Sequence, residues 1–134
     1  MKRIRVVLAD DHKAILDRVA ILLATQCDVV GTATDGRQAL ETVKILEPDV
    51  LVLDITMPEM SGIEVARRLT EAGAGFPIVF LTVHDDPEFA KEALEVGALG
   101  YVIKPRMASD LMVAVKEAYA GRSFISAPVL SAMD

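Results

Sequence analysis

Acidic, hydroxyl and basic side chains stand at the ends of predicted strands in this chain. Asp10 and Asp11 follow the first predicted strand, Asp54 ends the third, Thr82 ends the fourth and Lys104 ends the fifth. The carboxyl ends of strands in a parallel sheet lie at one edge, which is where open α/β sheets bind ligands. These side chains are therefore expected to converge on one small surface.

Three carboxylates packed together raise one another's pKa unless a cation compensates them. Mg²⁺ favours one or two carboxylates completed by waters and phosphate oxygens, so the set is typical of a metal site that receives a phosphoryl group. A carboxylate such as Asp54 can attack phosphorus to form an acyl phosphate, while Mg²⁺ and Lys104 neutralise the transferred oxygens. Taken singly, an Asp pair is more often a helix cap beside a solvated acid, and only the combination favours chemistry.

Short apolar runs alternate with segments of helical periodicity along the whole chain. Strands are predicted at 4–9, 29–34, 50–54, 78–82 and 99–104, and helices at about 12–25, 36–47, 61–71, 87–97 and 108–120. Asp35, Ser61 and Asp86 stand in N-cap positions of three of these helices. The pattern predicts an α/β fold, a doubly wound five-stranded parallel sheet with helices on both faces.

Composition narrows the class of protein. The chain has 134 residues, enough for one domain with its own core, and a formal net charge of -6 disfavours nucleic acid as a direct partner of this segment. Cys27 is the single cysteine, which excludes an internal disulfide and fits a reducing compartment. It is expected to be a small buried or half-buried hydrophobe near a strand. With no signal peptide pattern and no run near ~20 apolar residues, we expect a soluble cytoplasmic protein without a membrane partner.

Four motifs together carry a specific family resemblance. They are Leu8-Ala-Asp-Asp-His12, Leu51-Val-Leu-Asp-Ile-Thr-Met-Pro58 with Ser61-Gly62 beyond it, Phe80-Leu-Thr82, and Gly97-Ala-Leu-Gly-Tyr-Val-Ile-Lys-Pro105. From residue 4 to about residue 120 the chain resembles the receiver domains of bacterial two-component response regulators. The resemblance implies the flavodoxin-like strand order 2-1-3-4-5.

The resemblance implies a role for each matching residue. Asp54 would be the phosphoacceptor, supplied by a histidine kinase. Mg²⁺ would be coordinated by Asp11, Asp54 and the backbone carbonyl of Thr56, while Asp10 would help to hold the metal's waters. Such a domain is not an enzyme beyond its own phosphorylation and autodephosphorylation.

The remaining motif residues match the family's switch. Thr82 corresponds to the switch hydroxyl, Lys104 to the phosphate-pairing lysine and Tyr101 to the switch aromatic, and the Lys104–Pro105 bond to one that is cis in many relatives. On phosphorylation Thr82 would move toward the phosphoryl group, Tyr101 would enter the vacated space, and the face of helix four, strand five and helix five would change shape. The alternative for Tyr101 is a rim aromatic with its hydroxyl in water.

Two further positions tune dephosphorylation in this family, and here they are Thr56 and His84. Neither carries a carboxylate or amide, although His84 could orient a water, so a moderately long-lived phosphoryl state is expected. The alternative for His84 is an exposed polar loop residue.

The segment 118–130 resembles the junction of LuxR/NarL-type regulators, in which a helix-turn-helix DNA-binding domain follows. We therefore expect a receiver domain at 1–121 and the start of a linker at 122–134, in a piece of a longer transcription regulator that reaches DNA only through that further domain. A stand-alone receiver acting through protein contacts is the alternative. Arg106 and Met107 depart from the subfamily, which often has an acid and a Ser or Thr there, and Asp110 is expected to compensate through the helix dipole.

Apolar residues outside the main stripe of helix one suggest a homodimer surface joining helices one and five. The candidates are Leu16, Ala20 and Ile21 with Met112, Val113 and Tyr119. The alternative is ordinary core packing of a thickly covered sheet.

The residues disfavour three other functions. A Mg²⁺-dependent phosphohydrolase of the haloacid dehalogenase type needs a second Asp where Thr56 stands. A flavin- or nucleotide-binding module needs a glycine-rich loop where Asp10-Asp11-His12 stands. A phosphorylation-independent interaction domain of the same fold is disfavoured by the complete set of acids, Thr82 and Lys104.

Overall fold

The computed structural model of the protein describes residues 2–133. All strand pairings in it are parallel, in the order β2-β1-β3-β4-β5-β6. The strands are β1 (Ile4–Ala9), β2 (Cys27–Ala33), β3 (Val50–Leu53), β4 (Ile78–Thr82), β5 (Gly100–Ile103) and β6 (Phe124–Ile125). The predicted α/β class and the order 2-1-3-4-5 are confirmed, but the count of five strands is one short.

Helices cover both faces of this sheet. They are α1 (Lys13–Leu23), α2 (Gly36–Leu46), α3 (Gly62–Glu71), α4 (Pro87–Glu95), α5 (Met107–Tyr119) and α6 (Ala127–Ala132), with a 3-10 turn at Lys104–Arg106. One buried cluster joins α1 and α5 to the sheet, and a second joins α2, α3, α4 and α6 to the opposite face. The sheet thus lies between two hydrophobic cores. This is expected because strands that are continuous apolar runs are buried on both faces of a parallel sheet.

The predicted N-caps form. The Asp35 carboxylate accepts a hydrogen bond from Gln38 N at 2.8 Å. Ser61 Oγ accepts one from Glu64 N at 3.2 Å, and Asp86 Oδ1 accepts one from Glu88 N at 2.8 Å. Each cap satisfies an amide that has no partner within its helix, which is why three of the helices begin where the sequence predicts.

Residues 122–133, assigned to a linker from the sequence, include β6 and α6. Phe124 N donates to Leu99 O at 3.0 Å, which extends the sheet beyond β5. A strand of two residues has too few positions to show alternation, so the sequence pattern could not reveal it. The domain boundary at residue 121 and the output domain beyond stay predictions, and Asp134 lies outside the described residues.

Three smaller expectations have clear outcomes. Cys27 is buried at the start of β2, as predicted. Within residues 2–133 every peptide bond is trans, so the expected cis bond before Pro105 is wrong. No helix in the same range is long and apolar enough to cross a membrane.

Candidate functional site

The short strand β3 delivers Asp54 to the edge of the sheet. All four residues of β3 are buried, and Asp54, which follows it directly, is only 5 % exposed. Its amide donates to Ala9 O at 2.9 Å, and its own Oδ1 accepts from Ile55 N at 2.7 Å. Backbone hydrogen bonds therefore fix both the position and the orientation of this carboxylate.

Gly62 explains why the motif after Asp54 contains a glycine. A Cβ at this position would lie 1.8 Å from the carbonyl oxygen of Asp54, so only glycine lets α3 begin against that backbone. Gly62 N donates to Ile55 O at 2.7 Å, which closes the turn. The sequence pattern indicated only the cap at Ser61, and the steric requirement emerges from the structure.

The acidic residues converge as predicted. Asp10, Asp11 and Asp54 each offer a carboxylate oxygen, and His12 offers a ring nitrogen, within a group of atoms that all lie within 4.8 Å of one another. His12 Nδ1 lies 3.2 Å from Asp10 Oδ1 and 3.1 Å from Asp11 Oδ1. His12 was not among the sequence candidates, although its place beside the Asp pair was the available signal.

Lys104 lies between two of these acids. Its Nζ is 2.8 Å from Asp10 Oδ2 and 3.1 Å from Asp54 Oδ2, and all three side chains are buried. Burial raises the pKa of Asp54, and the charge of Asp10 adds to this, while Lys104 opposes it. Burial alone would lower the pKa of Lys104, but its close contacts with the carboxylates of Asp10 and Asp54 and their negative charge outweigh it and raise that pKa, so the ammonium stays charged.

The residues present fit a hard divalent cation. Although Asp10 Oδ2 is close to Lys104, it accepts no well-directed hydrogen bond, which leaves a buried carboxylate oxygen with a free coordination direction. The oxygen-rich donor set of Asp10, Asp11 and Asp54 suits Mg²⁺, which retains several waters. The cluster is thus consistent with metal binding, whereas coordination by the Thr56 carbonyl stays a prediction.

His84 connects the predicted switch residues. Its amide donates to Thr82 Oγ1 at 3.2 Å, and its carbonyl oxygen accepts a hydrogen bond from the Tyr101 hydroxyl at 2.6 Å. Its Nε2 lies 2.8 Å from Thr56 Oγ1, and its ring stacks on Phe89 with centroids 4.4 Å apart. The two positions predicted to tune dephosphorylation are therefore in direct contact with each other.

Tyr101 is fully buried, so the rim interpretation is wrong. Burial raises the pKa of its hydroxyl, and nearby acids led by Asp85 and Asp86 add to the effect. Thr82 is also fully buried and is held by His84 N. Both switch residues thus lie in the interior in this structure, and their movement on phosphorylation stays a prediction.

The comparisons with known proteins decide the family. The model of the response regulator receiver domain matches residues 6–116. The chain belongs to this family. The receiver is 34% identical over 125 residues to the transcriptional regulatory protein DegU of Brevibacillus brevis, covering 92% of this chain and 53% of that protein. It is 40% identical over 117 residues to the positive alginate biosynthesis regulatory protein of Pseudomonas aeruginosa, covering 84% of this chain and 46% of that protein.

Solved structures agree with this placement. A LuxR-family response regulator from Aurantimonas superposes on the receiver with a TM-score of 0.94 at 30% identity, covering 98% of this chain and 96% of that one. The receiver domain of the NarL regulator from Mycobacterium tuberculosis superposes with a TM-score of 0.87 at 34% identity, covering 91% of this chain and 100% of that one. The LuxR/NarL-type resemblance is confirmed. The receiver spans about half the length of the curated relatives it matches.

The first turn of α5 in this receiver holds a polar network that sequence analysis missed. Asp110 was expected to act through the helix dipole, but its carboxylate also accepts hydrogen bonds from Arg106 Nε at 3.0 Å and from Ser126 Oγ at 2.8 Å. Burial favours the protonated form of Asp110, but these hydrogen bonds, with one from Ser109, outweigh it and lower the pKa. The departure at Arg106 thus has a structural partner.

Proposed function

We propose that this receiver is the phosphorylation switch of a two-component system, in which Asp54 accepts a phosphoryl group from a histidine kinase. The observation that carries the proposal is the buried Asp54 carboxylate held between Lys104 and the Asp10–Asp11 pair. The test is incubation with Mg²⁺ and acetyl phosphate followed by intact mass. A mass gain of one phosphoryl group, absent when EDTA is included in the incubation, supports the proposal. No gain in mass refutes it.

The chemistry follows from the site. A carboxylate oxygen of Asp54 attacks phosphorus, an O–P bond forms, and the P–N bond to the kinase histidine breaks with its electron pair leaving on nitrogen. Lys104 then faces the new phosphoryl oxygens. Asp11 and Asp54 would hold a Mg²⁺ ion and Asp10 its waters, and the ion would supply additional charge neutralisation. Thr82 Oγ1, now bound to His84 N, is the hydroxyl available to the phosphoryl group.

Mg²⁺ is expected to raise the thermal unfolding midpoint of the wild-type chain, because it relieves repulsion among the three carboxylates of the folded state. Asp11→Asn should remove most of this increase, since Asp11 is the member of the set that is exposed and not paired with Lys104. The measurement is the midpoint as a function of Mg²⁺ concentration. Asp17→Asn, at an exposed acid on α1, is the control and should retain the full increase.

Thr56→Ala is expected to speed dephosphorylation by up to about tenfold, because it frees the His84 imidazole to orient a water. This gain is smaller than the rate enhancement of ~10²–10⁴ that a well-placed general base provides. The gain should be absent in the double variant Thr56→Ala/His84→Ala. The measurement is the decay of phosphorylated protein by intact mass after the donor is removed. An equal gain in the double variant would show that Thr56 acts by steric cover alone.

We infer that the signal controls a DNA-binding domain in a longer protein, because the relative DegU is named a transcriptional regulatory protein and both relatives described above are about twice as long as this chain. The acidic net charge of -6 disfavours the receiver itself as the DNA-binding part. The buried single Cys27 fits a reducing compartment, and we propose the cytoplasm.

We also propose a homodimer through α1 and α5. Ile21, Val113 and Tyr119 are 76 %, 46 % and 45 % exposed, whereas Leu16 is buried and Met112 packs against Cys27. The first three residues therefore form the patch, while Leu16 and Met112 serve the core. Beryllofluoride, which mimics the phosphoryl group, is expected to increase the sedimenting mass, and Val113→Asp should prevent the increase. A monomer both with and without beryllofluoride would refute the proposed homodimer.

A further inference from the structure

The C-terminal segment, residues 122–133, lies along the strand that contains Tyr101. Ile125 is the register partner of Tyr101 in the pairing of β6 with β5. Ser126 N donates to Tyr101 O at 2.9 Å, next to the hydrogen bond between Phe124 N and Leu99 O. Without this segment β5 would be the edge strand of the sheet, and Tyr101 would stand on an open edge.

A buried side-chain contact fastens the segment to α5. Ser126 is fully buried, and its Oγ accepts a hydrogen bond from Ile103 N at 3.2 Å and donates one to Asp110 Oδ2 at 2.8 Å. Asp110 in turn binds Arg106 at 3.0 Å. These contacts lie on both sides of Lys104, since Ile103 precedes it and Arg106 is two residues beyond it. We call the Ser126–Asp110 hydrogen bond the latch.

The helix of the segment contributes one side chain to the interior. Val129 is fully buried in the same cluster as Tyr101, Ala90 and Ala93, while its neighbour Leu130 is 53 % exposed. Because α6 packs against α4, Val129 occupies the junction between α4 and the β5 edge. The segment therefore places an apolar side chain in the buried cluster that contains Tyr101, on the face of the sheet that α4 covers.

We propose that residues 122–133 form a lid that keeps Tyr101 buried, with the Ser126–Asp110 hydrogen bond as its latch. The α4–β5 face is then an intramolecular binding surface occupied by the chain's own C-terminal segment. The consequence for signalling rests on the proposed function. When Thr82 leaves His84 N for the phosphoryl group, the loop that also binds the Tyr101 hydroxyl shifts, and the lid lies against Tyr101 in the same buried cluster.

The chain offers a direct test, because it has only two tyrosines and no tryptophan. The 134-residue chain labelled with 3-fluorotyrosine gives two fluorine NMR signals, which Tyr119→Phe assigns. A soluble gadolinium chelate should broaden the exposed Tyr119 signal and leave Tyr101 sharp. In Ser126→Ala and Val129→Ser, the Tyr101 signal should broaden about as strongly as that of Tyr119. Ser123→Ala and Leu130→Ser, at exposed positions of the same segment, are the matched controls and should match the wild type.

Amide hydrogen exchange of residues 124–130, measured on the same samples, makes the result decisive. Faster exchange together with exposure of Tyr101 supports the lid. Faster exchange with Tyr101 still protected overturns it, because Tyr101 would then be buried without the segment. Unchanged exchange in both variants also overturns it, since the latch would hold nothing. No phosphoryl donor is used, so failure of Asp54 labelling would count against the proposed function and leave this test intact.

Discussion

Asp54→Asn is expected to abolish incorporation of a phosphoryl group from acetyl phosphate, a loss of more than about a hundredfold, because an amide oxygen cannot serve as the nucleophile in acyl phosphate formation. Asp10 and Asp11 are close to Asp54, but the proposed function gives them only the metal and its waters, whereas Asp54 alone receives the phosphoryl group. The measurement is intact mass of wild type and variant after the same incubation with Mg²⁺. Equal labelling of Asp54→Asn would place the phosphoacceptor elsewhere.

The variant should also be well folded, which makes the loss interpretable. Burial raises the folded-state pKa of Asp54 above its unfolded value, so the ionised group costs stability. The protonated carboxyl contributes favourably to folding. This contribution is fully present below the unfolded pKa and is lost as pH rises through the folded pKa. Asp54→Asn is therefore expected to be at least as stable as the wild type at neutral pH, with the advantage disappearing in acid. Urea unfolding at both pH values checks this.

The sequence was sufficient to predict where the principal site residues lie. Asp10, Asp54 and Thr82 stand at or just beyond the ends of buried apolar strands, and a parallel sheet brings such ends to one edge. Lys104 follows β5 in the same way and reaches both acids. Strand periodicity and topology thus set this part of the site, with side-chain length determining which groups meet.

The features that sequence analysis missed depend on tertiary contacts. The depth of Tyr101 follows from Val129 and the His84 carbonyl, neither of which has a periodic signature. Ser126 appears in the sequence as an isolated serine near a proline, and its role exists only because Asp110 and the Ile103 amide face it. One-to-one polar contacts between distant segments leave no pattern that residue spacing can report.

The arrangement around Lys104 makes this lysine the most sensitive position for stability. Among residues 2–133, Lys104 is the cation that lies within 4.0 Å of both buried carboxylates, those of Asp10 and Asp54. Without the lysine, Asp10 Oδ2 would have no hydrogen bond to compensate its charge. Removing one partner of a buried ion pair leaves an uncompensated charge, which typically costs about 3–5 kcal/mol. Here two carboxylates would be left together, so each would also repel the other.

Lys104→Met is therefore expected to lower the free energy of unfolding at neutral pH by about 3–5 kcal/mol. Loss of the ammonium raises the folded-state pKa of Asp54 further above its unfolded value. The folded protein therefore loses stability as pH rises through that folded pKa, and it regains this stability when the carboxyl is protonated. The deficit should accordingly shrink at mildly acidic pH. Urea unfolding of wild type and variant at the two pH values measures both effects.

Lys13→Met provides the matched comparison. Lys13 is 85% exposed and lies 3.4 Å from Asp17 on the surface of α1, so its loss should change the free energy of unfolding by no more than about 0.5 kcal/mol at either pH. Mg²⁺ should restore part of the stability of Lys104→Met, because the cation can neutralise the same carboxylates, and should leave the difference between Lys13→Met and wild type unchanged. If the two lysine variants were equally stable, Lys104 would contribute no more than a surface charge, and the electrostatic account of the Asp54 site would be wrong.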